Sequence, residues 1–475
     1  MPGGPQDCNA SARVEALPGG PSVEAAVVSF PTAPGAFVLE SSAVDSTSGR
    51  FTILGFDPAH SLAIDRGEPG AIDRLAKQVA RYPACGGVRD VPFVGGWVGY
   101  LSYEAGLGIE GIRPTTAADI DLPAVRFDLY DTAAVFDHLR EQWYVVGVDW
   151  PDGVCAGRPP LSERMAEVQR RLASTGTPEP LPWDEPPCPP PIPNMSREDY
   201  LARVGRAKRY IEAGDVYQVN LTQRFSTTTW ARPLDLYRRL RAANPSCYAA
   251  LLCWDDQAVI GSSPELFLDL RDGQVVTRPI KGTRPRVGDE VIDGLRRREL
   301  AGSEKDRAEL TMIVDLLRND LGRVCEFGSV RVVSAAELEV HPTVYHLVGT
   351  IEGQLRPEWD WADLLRASFP GGSITGAPKI RAMQIIDELE PTCRSVYCGS
   401  VGYIGLDGSV CLNIAIRTMI YEAGRLHLFA GGGIVADSDP ADEYDETLAK
   451  AAGLLRALGY EPARWAEGPV AENRR

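Results

Sequence analysis

The feature that most constrains the fold is a series of short apolar segments separated by two-residue turns near the C-terminus. Strands are predicted over residues 399–404, 409–418 and 426–429, and the turns are Asp407-Gly408 and Ala423-Gly424. Such residue pairs between apolar segments are typical of tight β-hairpins, whose strands run antiparallel. Consecutive hairpins therefore favour an α+β fold with antiparallel sheets over a doubly wound parallel sheet.

Helical spacing of apolar residues identifies a second set of elements. It predicts helices over residues 303–322, 378–389 and 440–458. Ser196 and Asp199 have the spacing of a capping box, which predicts a further helix that runs to Gly214. Weaker strand patterns lie upstream, over residues 36–41, 51–55 and 94–101.

A proline-rich segment divides the chain. Nine of the sixteen residues from 178 to 193 are proline, which can neither continue a helix nor donate a backbone hydrogen bond to a sheet. The sequence therefore predicts an N-terminal α/β region over residues 1–177, a linker over residues 178–194 and a C-terminal domain over residues 195–475.

Composition excludes several classes of partner. The 475 residues carry 65 acidic and 49 basic side chains, a formal net charge of −16, whereas nucleic acids and anionic membranes are bound by clustered Lys and Arg. The longest uncharged apolar stretch, residues 91–103, is too short to span a bilayer. No signal peptide is recognised, and none of the ten cysteines forms a CxxC pair. We therefore expect a reduced, cytoplasmic enzyme that binds neither nucleic acid nor membrane.

Two glycine-rich stretches resemble nucleotide loops without meeting their requirements. Residues 371–379 precede a predicted helix, but Ala377 stands where a P-loop has lysine. Residues 431–436 fit GxGxxA, but no second strand with an acidic residue follows. Each stretch is either a tight turn or a place where backbone N–H groups approach an anion.

Two predicted helices each carry a pair of acidic residues three positions apart. The pairs are Asp306 with Glu309, and Glu443 with Glu446. Residues at this spacing share a helix face, so two such helices facing each other would offer oxygen ligands for Mg²⁺. The alternative is the ordinary enrichment of acids at helix N-termini, where they favour the macrodipole.

Three cationic or titratable residues are candidates for substrate chemistry. Lys281 lies among proline and glycine in a basic segment over residues 278–286; it is either part of a solvated loop or a desolvated nucleophile. Arg417 shares a predicted strand face with Asn413 and Ala415, which suits either carboxylate recognition or a surface ion pair. His346 is either a general base or a structural histidine.

Taken together, these segments resemble the chorismate-utilising enzymes, and within them the component I chains of aminodeoxychorismate synthases. The resemblance is dense over residues 195–459 and thinner upstream. The matching stretches are residues 95–100, 215–221, 263–267, 278–284, 305–309, 312–320, 369–379 and 430–438.

The resemblance implies a composite α+β unit with two large packed antiparallel sheets surrounded by helices, and a chorismate-binding catalytic domain over residues 195–475. It implies that Glu309 and Glu446 hold Mg²⁺, with Asp306 and Glu443 in neighbouring positions, and it places His346 beside the substrate ring. The implied substrate-binding residues are Gly282, Thr283, Thr375, Tyr403, Arg417, Gly431, Gly432, Gly433 and Lys450.

Two positions bear on the reaction that the resemblance implies. The isochorismate and salicylate synthases have a water-activating lysine where this chain has Gln218, and anthranilate synthases typically have alanine where it has Lys281. The resemblance therefore implies amination of chorismate at C4, with Lys281 as a covalent nucleophile and Glu265 as the acid for the departing hydroxyl. The alternatives are anthranilate synthase component I and, more remotely, a non-catalytic tryptophan-sensing subunit.

The resemblance also implies a partner and a second pocket. The chain has no Gly-x-Cys-x-Gly nucleophile motif followed by His-x-Glu, so ammonia is expected from a separate glutamine amidotransferase subunit. Ser41 matches the tryptophan pocket of the family. The second stretch of that pocket, residues 244–249, departs from the pattern of feedback-inhibited relatives, so tryptophan binding is compatible with the sequence and inhibition is not expected.

Overall fold

A computed structural model describes residues 10–30, 35–43, 49–88, 90–176, 179–181, 183, 185–341 and 344–461. Four residues around the start of the predicted linker, Thr177, Pro178, Pro182 and Asp184, lie outside these ranges, as do residues 1–9 and 462–475 of the predicted terminal regions. None of the helices in the described ranges is long and apolar enough to cross a membrane.

The described residues form 22 strands. In chain order these are β1 (Ser11–Leu17), β2 (Phe37–Glu40), β3 (Phe51–Gly55), β4 (His60–Ile64), β5 (Gly96–Leu101), β6 (Val125–Tyr130), β7 (Thr132–Asp137), β8 (Gln142–Asp149), β9 (Ile192–Pro193), β10 (Gln218–Thr228), β11 (Tyr248–Cys253), β12 (Gln257–Ser263), β13 (Leu266–Arg271), β14 (Gln274–Arg278), β15 (Ile280–Pro285), β16 (Arg331–Val340), β17 (Val344–Gln354), β18 (Gly376–Ala377), β19 (Ser400–Gly405), β20 (Val410–Asn413), β21 (Thr418–Glu422) and β22 (Arg425–Ile434).

Eleven α-helices accompany the strands in the part of the chain that the structure describes, with a short 3-10 turn at Gly372–Ile374. The helices are α1 (Val23–Ser29), α2 (Ala71–Val79), α3 (Tyr103–Ile109), α4 (Leu161–Ala173), α5 (Arg197–Glu212), α6 (Pro233–Ala243), α7 (Glu290–Gly302), α8 (Glu304–Gly322), α9 (Trp361–Ser368), α10 (Lys379–Leu389) and α11 (Pro440–Ala457).

The strands form two antiparallel sheets. The twelve-stranded sheet has the order β1-β8-β7-β3-β2-β11-β12-β21-β22-β10-β18, with β9 paired to β10. The ten-stranded sheet has the order β15-β17-β14-β13-β20-β19-β5-β6-β4, with β16 paired to β17. Their pairing is antiparallel throughout, which confirms the predicted fold class.

The main core lies between the two sheets. In β11, Ala250 and Leu252 belong to this core, whereas Ala249 and Leu251 belong to a second core shared with helices α1, α4, α6 and α11. The two-residue alternation is that of a strand whose faces are both buried. Side chains from both sheets, such as Phe37 of β2, meet in the main core, so the twelve-stranded sheet has helices on one face and the other sheet on its second face.

Each sheet contains strands from both sides of the proline-rich segment. In the twelve-stranded sheet β2 pairs with β11, and in the ten-stranded sheet β5 pairs with β19. The sheets are therefore built jointly by the two halves of the chain. The division at residues 178–194 stays a prediction about chain organisation.

Most of the predicted elements are present. Ser196 and Asp199 form the capping box of α5, and Ser303 accepts a hydrogen bond from Asp306 N at the start of α8. Both predicted hairpin turns connect neighbouring strands, β19 to β20 and β21 to β22. In the second turn Ala423 and Gly424 have φ of 47° and 81°, as a type I′ turn requires.

The predicted strand over residues 409–418 is wrong as a single element. It is divided into β20 in the ten-stranded sheet and β21 in the twelve-stranded sheet, and Arg417, at φ 51°, lies in the crossover between them. Leu412 lies in β20, whereas Ile414 and Ile416 lie in the crossover between β20 and β21. Both crossover residues are packed in the main core, so their apolar alternation continues past the end of the strand. Arg417 is therefore not on a strand face with Asn413 and Ala415.

The proline-rich segment is also more than a connection. Ile192 and Pro193 form the short strand β9, which pairs with Phe225 and Ser226 of β10. Proline is tolerated in an edge strand, where its missing N–H faces away from the sheet.

Candidate active site

Lys281 lies on β15, an edge strand of the ten-stranded sheet, opposite Leu347 of β17. The pairing of β15 with β17 shifts between Lys281 and Thr283, and the intervening Gly282 has φ 73°. A Cβ on Gly282 would lie 2.9 Å from Asp306 Cγ and 2.8 Å from Leu300 Cδ1. Glycine is therefore required for β15 to pass this close to helices α7 and α8.

The side chain of Lys281 is largely withdrawn from solvent. Its Nζ lies 4.0 Å from Glu309 Oε2 of α8, and 14 % of its side chain is exposed. Burial lowers the pKa of Lys281; the charge of Glu309 opposes this shift and that of Lys450 adds to it. A lowered pKa increases the fraction of free amine near neutral pH, which is the nucleophilic form.

Glu265 lies between β12 and β13 and is buried, with 4 % exposure. Burial raises the pKa of its carboxyl to about 7, although a hydrogen bond from Ser373 and the charges of Lys281 and Arg417 act in the opposite direction. A carboxyl group with this pKa is partly protonated near neutral pH and can act as a general acid.

His346 and Thr283 face each other between β17 and β15. Thr283 Oγ1 lies 2.8 Å from His346 Nδ1, while Nε2 is buried without a hydrogen-bond partner among the described residues. Burial, followed by the charge of Arg417, holds the pKa of His346 well below its usual range. The ring is therefore neutral, with one nitrogen left for a substrate atom.

Three consecutive glycines of β22, residues 431–433, bring the twelve-stranded sheet close to Lys281. They pair with Thr222, Leu221 and Asn220 of β10. A Cβ on Gly433 would lie 2.3 Å from Gln218 Nε2 and 3.5 Å from Lys281 Nζ. The glycine backbone thus borders Lys281 from the opposite sheet, and the candidate site lies between the sheets.

Helix α11 presents its acids and Lys450 to the same glycines. A Cβ on Gly432 would lie 3.0 Å from Glu443 Oε2 and 3.7 Å from Glu446 Oε1. Lys450 Nζ donates to Gly431 O at 3.0 Å and lies 2.7 Å from Glu446 Oε1. Burial alone would raise the pKa of Glu446, but Lys450 brings it below its usual value.

The four predicted metal-binding acids differ in their surroundings. The charges of Glu309 and Glu446 influence each other across the two helices, and burial raises the pKa of Glu309 and of Glu443. Glu443 Oε1 accepts a hydrogen bond from Ser438, whereas Oε2 is buried without a partner among the described residues. Asp306 instead forms an ion pair with Arg284 at 3.3 Å.

These acids fit a magnesium ion that keeps part of its water shell. No cluster of three or more His, Cys, Asp or Glu arranged for a metal is found in the described ranges. Mg²⁺ commonly takes only one or two protein carboxylates and retains several waters. Glu309 and Glu446 are charge-coupled and Glu443 Oε2 has no partner among the described residues, so these acids can supply one or two such carboxylates. Asp306 is paired with Arg284, and Glu446 is paired with Lys450.

Arg417 and Thr375 complete the group. Among the described residues the Arg417 guanidinium has no hydrogen-bond or ion-pair partner, and burial lowers its pKa to about 10. Its charge affects both Glu265 and His346. Thr375 is fully buried and its hydroxyl donates to Gly371 O at 3.0 Å, so its side chain shapes the loop over residues 371–376.

Tyr403 and Ser41 lie in a different cavity. It has a volume of about 310 Å³ and is lined by residues of both sheets. The Tyr403 hydroxyl donates to Pro92 O and accepts a hydrogen bond from Arg271, and Ser41 Oγ donates to Cys247 O. The structure therefore brings Tyr403 together with Ser41 and not with Lys281, and we leave Tyr403 out of the candidate active site.

Two residues that influence this group have no role in the sequence analysis. Ser373 acts to lower the pKa of Glu265, and the charge of Lys305 acts to lower the pKa of Glu309 and of Glu446. Ser373 lies within a stretch that the sequence analysis treats as glycine-rich backbone, and Lys305 directly precedes Asp306. The only sequence signal for Ser373 and Lys305 is that each lies in a stretch shared with the family.

The fold is that of chorismate-utilising enzymes. The sequence matches the chorismate binding enzyme family over residues 39–456, and the chain belongs to this family.

Particular relatives come from two branches of that family. The chain is 44 % identical over 368 residues to aminodeoxychorismate synthase component 1 of Klebsiella aerogenes, which covers 78 % of each chain. It is 41 % identical over 436 residues to anthranilate synthase component 1 of Streptomyces coelicolor, which covers 89 % of this chain and 83 % of the relative. The crystal structure of anthranilate synthase component I from Streptococcus pneumoniae superposes with a TM-score of 0.74 at 33 % identity, covering 86 % of this chain and 93 % of that one.

Proposed function

We propose that the chain aminates chorismate at C4 to give 4-amino-4-deoxychorismate. The observation that carries the proposal is Lys281, a buried lysine with a lowered pKa that lies beside Glu309 and near Glu265. A lysine at this position matches the aminodeoxychorismate synthases rather than the anthranilate synthases, and several of the relatives carry the former name.

In the proposed first step the free amine of Lys281 attacks C2 of the ring. Both ring double bonds shift as the C4–oxygen bond breaks, and Glu265 donates the proton with which the hydroxyl departs as water. The nitrogen of Lys281, now bonded to C2, passes its extra proton to the Glu265 carboxylate, which leaves a neutral secondary amine on the ring and restores the acid. The result is a covalent adduct between Lys281 and the substrate.

In the proposed second step ammonia attacks C4 of that adduct. Both ring double bonds shift back as the C2–nitrogen bond to Lys281 breaks, and Glu265 protonates the departing amine. The new C4 ammonium then returns one proton to the Glu265 carboxylate. The enolpyruvyl group stays on the ring throughout. Two substitutions of this kind replace one difficult displacement, which is the general advantage of covalent catalysis.

The remaining residues would hold the substrate. Arg417, whose guanidinium has no partner among the described residues, suits a bidentate contact with one carboxylate, with the backbone of Gly431, Gly432 and Gly433 beside it. His346 Nε2 would face the ring. Glu309 and Glu446 would hold Mg²⁺ with Glu443, and the ion would withdraw charge from the ring carboxylate.

The proposed source of ammonia is a separate glutamine amidotransferase subunit. The name "component 1" of several relatives supports a multi-subunit enzyme. The described cysteines are all free thiols, which supports the expectation of a reducing, cytoplasmic setting.

Anthranilate synthesis is the second candidate function. It is favoured by the longer match to the Streptomyces coelicolor anthranilate synthase component 1 and by the Streptococcus pneumoniae structure. It predicts amination at C2 with loss of pyruvate, for which Lys281 has no covalent role. The non-catalytic, tryptophan-sensing alternative would assign the function to the Ser41 cavity and leaves the Lys281 group without a role.

A fluorescence assay tests the proposed function. The chain is incubated with chorismate, Mg²⁺ and ammonium, with and without an aminodeoxychorismate lyase. We expect 4-aminobenzoate only when the lyase is present. Anthranilate fluorescence without the lyase would favour the second candidate, and no chorismate loss in either reaction would favour a non-catalytic subunit.

A further inference from the structure

Arg394 is a buried arginine that joins two elements of the candidate active site. It is 1 % exposed. Its Nη1 donates to Ile374 O at 2.9 Å, in the loop over residues 371–376, and its Nη2 donates to Asn220 O at 2.8 Å, on β10. One guanidinium therefore links the loop that carries Ser373 to the strand that pairs with the glycines of β22.

The position of this guanidinium is itself fixed. Glu390 accepts from Arg394 Nε at 2.9 Å and from Nη2 at 2.6 Å. Glu390 Oε1 also accepts the backbone N–H of Thr222 on β10, and the guanidinium lies 4.6 Å from the ring centroid of Tyr103. The charge is thus paired, bonded and stacked, as a buried arginine requires.

Helix α3 supports the same region from the N-terminal half of the chain. Glu104 Oε1 accepts the backbone N–H groups of Arg394 and Ser395. A Cβ on Gly106 would lie 2.4 Å from Pro370 Cδ, so α3 packs directly against the residue before the loop. The loop is held from both its start and its middle.

We propose that Arg394 is a positioning residue, which holds the loop over residues 371–376 against β10 and thereby keeps Ser373 directed at Glu265. Asn220 N donates to Thr375 O at 2.8 Å, so the guanidinium and this backbone bond act between the same two elements. Arg394 acts through Ile374 and Ser373 and does not touch the reacting atoms. The catalytic consequence rests on the proposed function, in which Glu265 is the general acid.

The surroundings of Glu265 make this role measurable. The groups that face it are Lys281 of β15, Arg417 of the crossover, Cys398 before β19, Ser373 and the N–H of Ile280. Of these, Ser373 is held by Arg394 through the loop, and Cys398 is affected by the charge of Arg394, which Arg394→Lys preserves. The Ser373 hydroxyl acts to lower the pKa of Glu265, so moving Ser373 away raises that pKa and moves the loss of activity to higher pH.

The experiment compares Arg394→Lys with Arg164→Lys. Arg164 is a matched control because it is also buried, pairs with Asp131 and donates to the carbonyls of Pro159 and Val148, far along the chain from the active-site loop. The readouts are the pH dependence of chorismate loss with ammonium, kcat and KM, and amide hydrogen exchange of Asn220.

For Arg394→Lys we expect kcat to fall about 10- to 100-fold with KM nearly unchanged, because a small misplacement of the acid affects proton transfer more than binding. We also expect a shift of the alkaline limb to higher pH, as in Ser373→Ala, and faster exchange at Asn220. Arg164→Lys should keep the wild-type profile and Asn220 protection. Wild-type pH dependence and protection in Arg394→Lys would overturn the proposal.

Two further measurements keep the outcomes distinct. If Arg394→Lys does not fold, Glu390→Asp is the substitute, because it displaces the guanidinium while both charges remain. It should show the same shift of the pH profile and faster amide exchange at Asn220. A wild-type pH profile and wild-type exchange in Glu390→Asp would overturn the proposal. A wild-type chain that consumes no chorismate contradicts the proposed function. In that case the exchange of Asn220 still reports the positioning role, with unchanged exchange in Arg394→Lys refuting it.

Discussion

The side-chain nitrogen of Lys281 lies 4.0 Å from Glu309 Oε2, where strand β15 of the ten-stranded sheet meets helix α8. Glu309 is charge-coupled to Glu446 of α11, so the lysine lies beside the carboxylates that we propose as magnesium ligands. The negative charge of Glu309 acts to raise the pKa of Lys281, but burial has the larger effect and lowers it.

Lys281→Ala should reduce chorismate amination by at least about 100-fold, because no other described lysine shares its position as the nucleophile. The rate of chorismate loss with ammonium measures this effect. Lys77→Ala, on the last turn of α2, is a control for loss of a lysine and should keep full activity. Retention of more than half the activity in Lys281→Ala would refute the covalent role.

The pH dependence of kcat/KM should reflect Glu265. Burial raises its pKa to about 7, and a general acid must be protonated, so activity should fall as the pH rises through about 7. Glu265→Gln cannot donate this proton and should lose activity by about 100-fold or more. If the residual activity of Glu265→Gln still falls as the pH rises through about 7, that fall must come from the titration of another group.

Magnesium dependence should lie with the acids of α8 and α11. Glu309→Gln and Glu446→Gln should each weaken Mg²⁺ binding in the presence of chorismate by about 10- to 100-fold, since each removes a carboxylate ligand. Calorimetric titration measures this, and a chelator should abolish wild-type turnover. Asp445→Asn, which is exposed beside Glu446, is the matched control; equal weakening in that variant would indicate a general charge effect.

Gly282→Ala should destabilise the fold and the active site together. The residue combines φ 73° with a Cβ position 2.9 Å from Asp306 Cγ, so we expect a loss of about 1–3 kcal/mol in the free energy of unfolding. Gly288→Ala is the control, because Gly288 has φ 81° but no neighbouring atom within 4 Å. Denaturant unfolding compares the two, and equal losses would mean that crowding against α8 adds nothing.

Local signals in the sequence predict the local structure well. The side chains of Ser196, Asp199 and Ser303 form caps at helix starts, and Ala423-Gly424 forms a hairpin turn, because these features depend on neighbouring residues only. The spacing of Glu443 and Glu446 also predicts that both face the same glycines, as they do, since residues three apart on a helix share a face.

Long-range pairing and side-chain direction could not be predicted in this way. The alternation through Leu412, Ile414 and Ile416 does not show that the chain leaves one sheet for the other, because both sheets bury apolar residues. Tyr403 follows a family motif but enters the cavity of Ser41. The pairing of β5 with β19 joins segments roughly 300 residues apart and leaves no mark in either pattern.

The position of the new carbon–nitrogen bond distinguishes amination at C4 from amination at C2. The chain is incubated with chorismate, Mg²⁺ and ¹⁵N-labelled ammonium, and the product is examined by mass spectrometry and NMR. The account predicts that ¹⁵N is bonded to C4 in a product that retains its enolpyruvyl group, and that Lys281→Ala gives none of it. A product with ¹⁵N at C2, formed with release of pyruvate, would contradict the account.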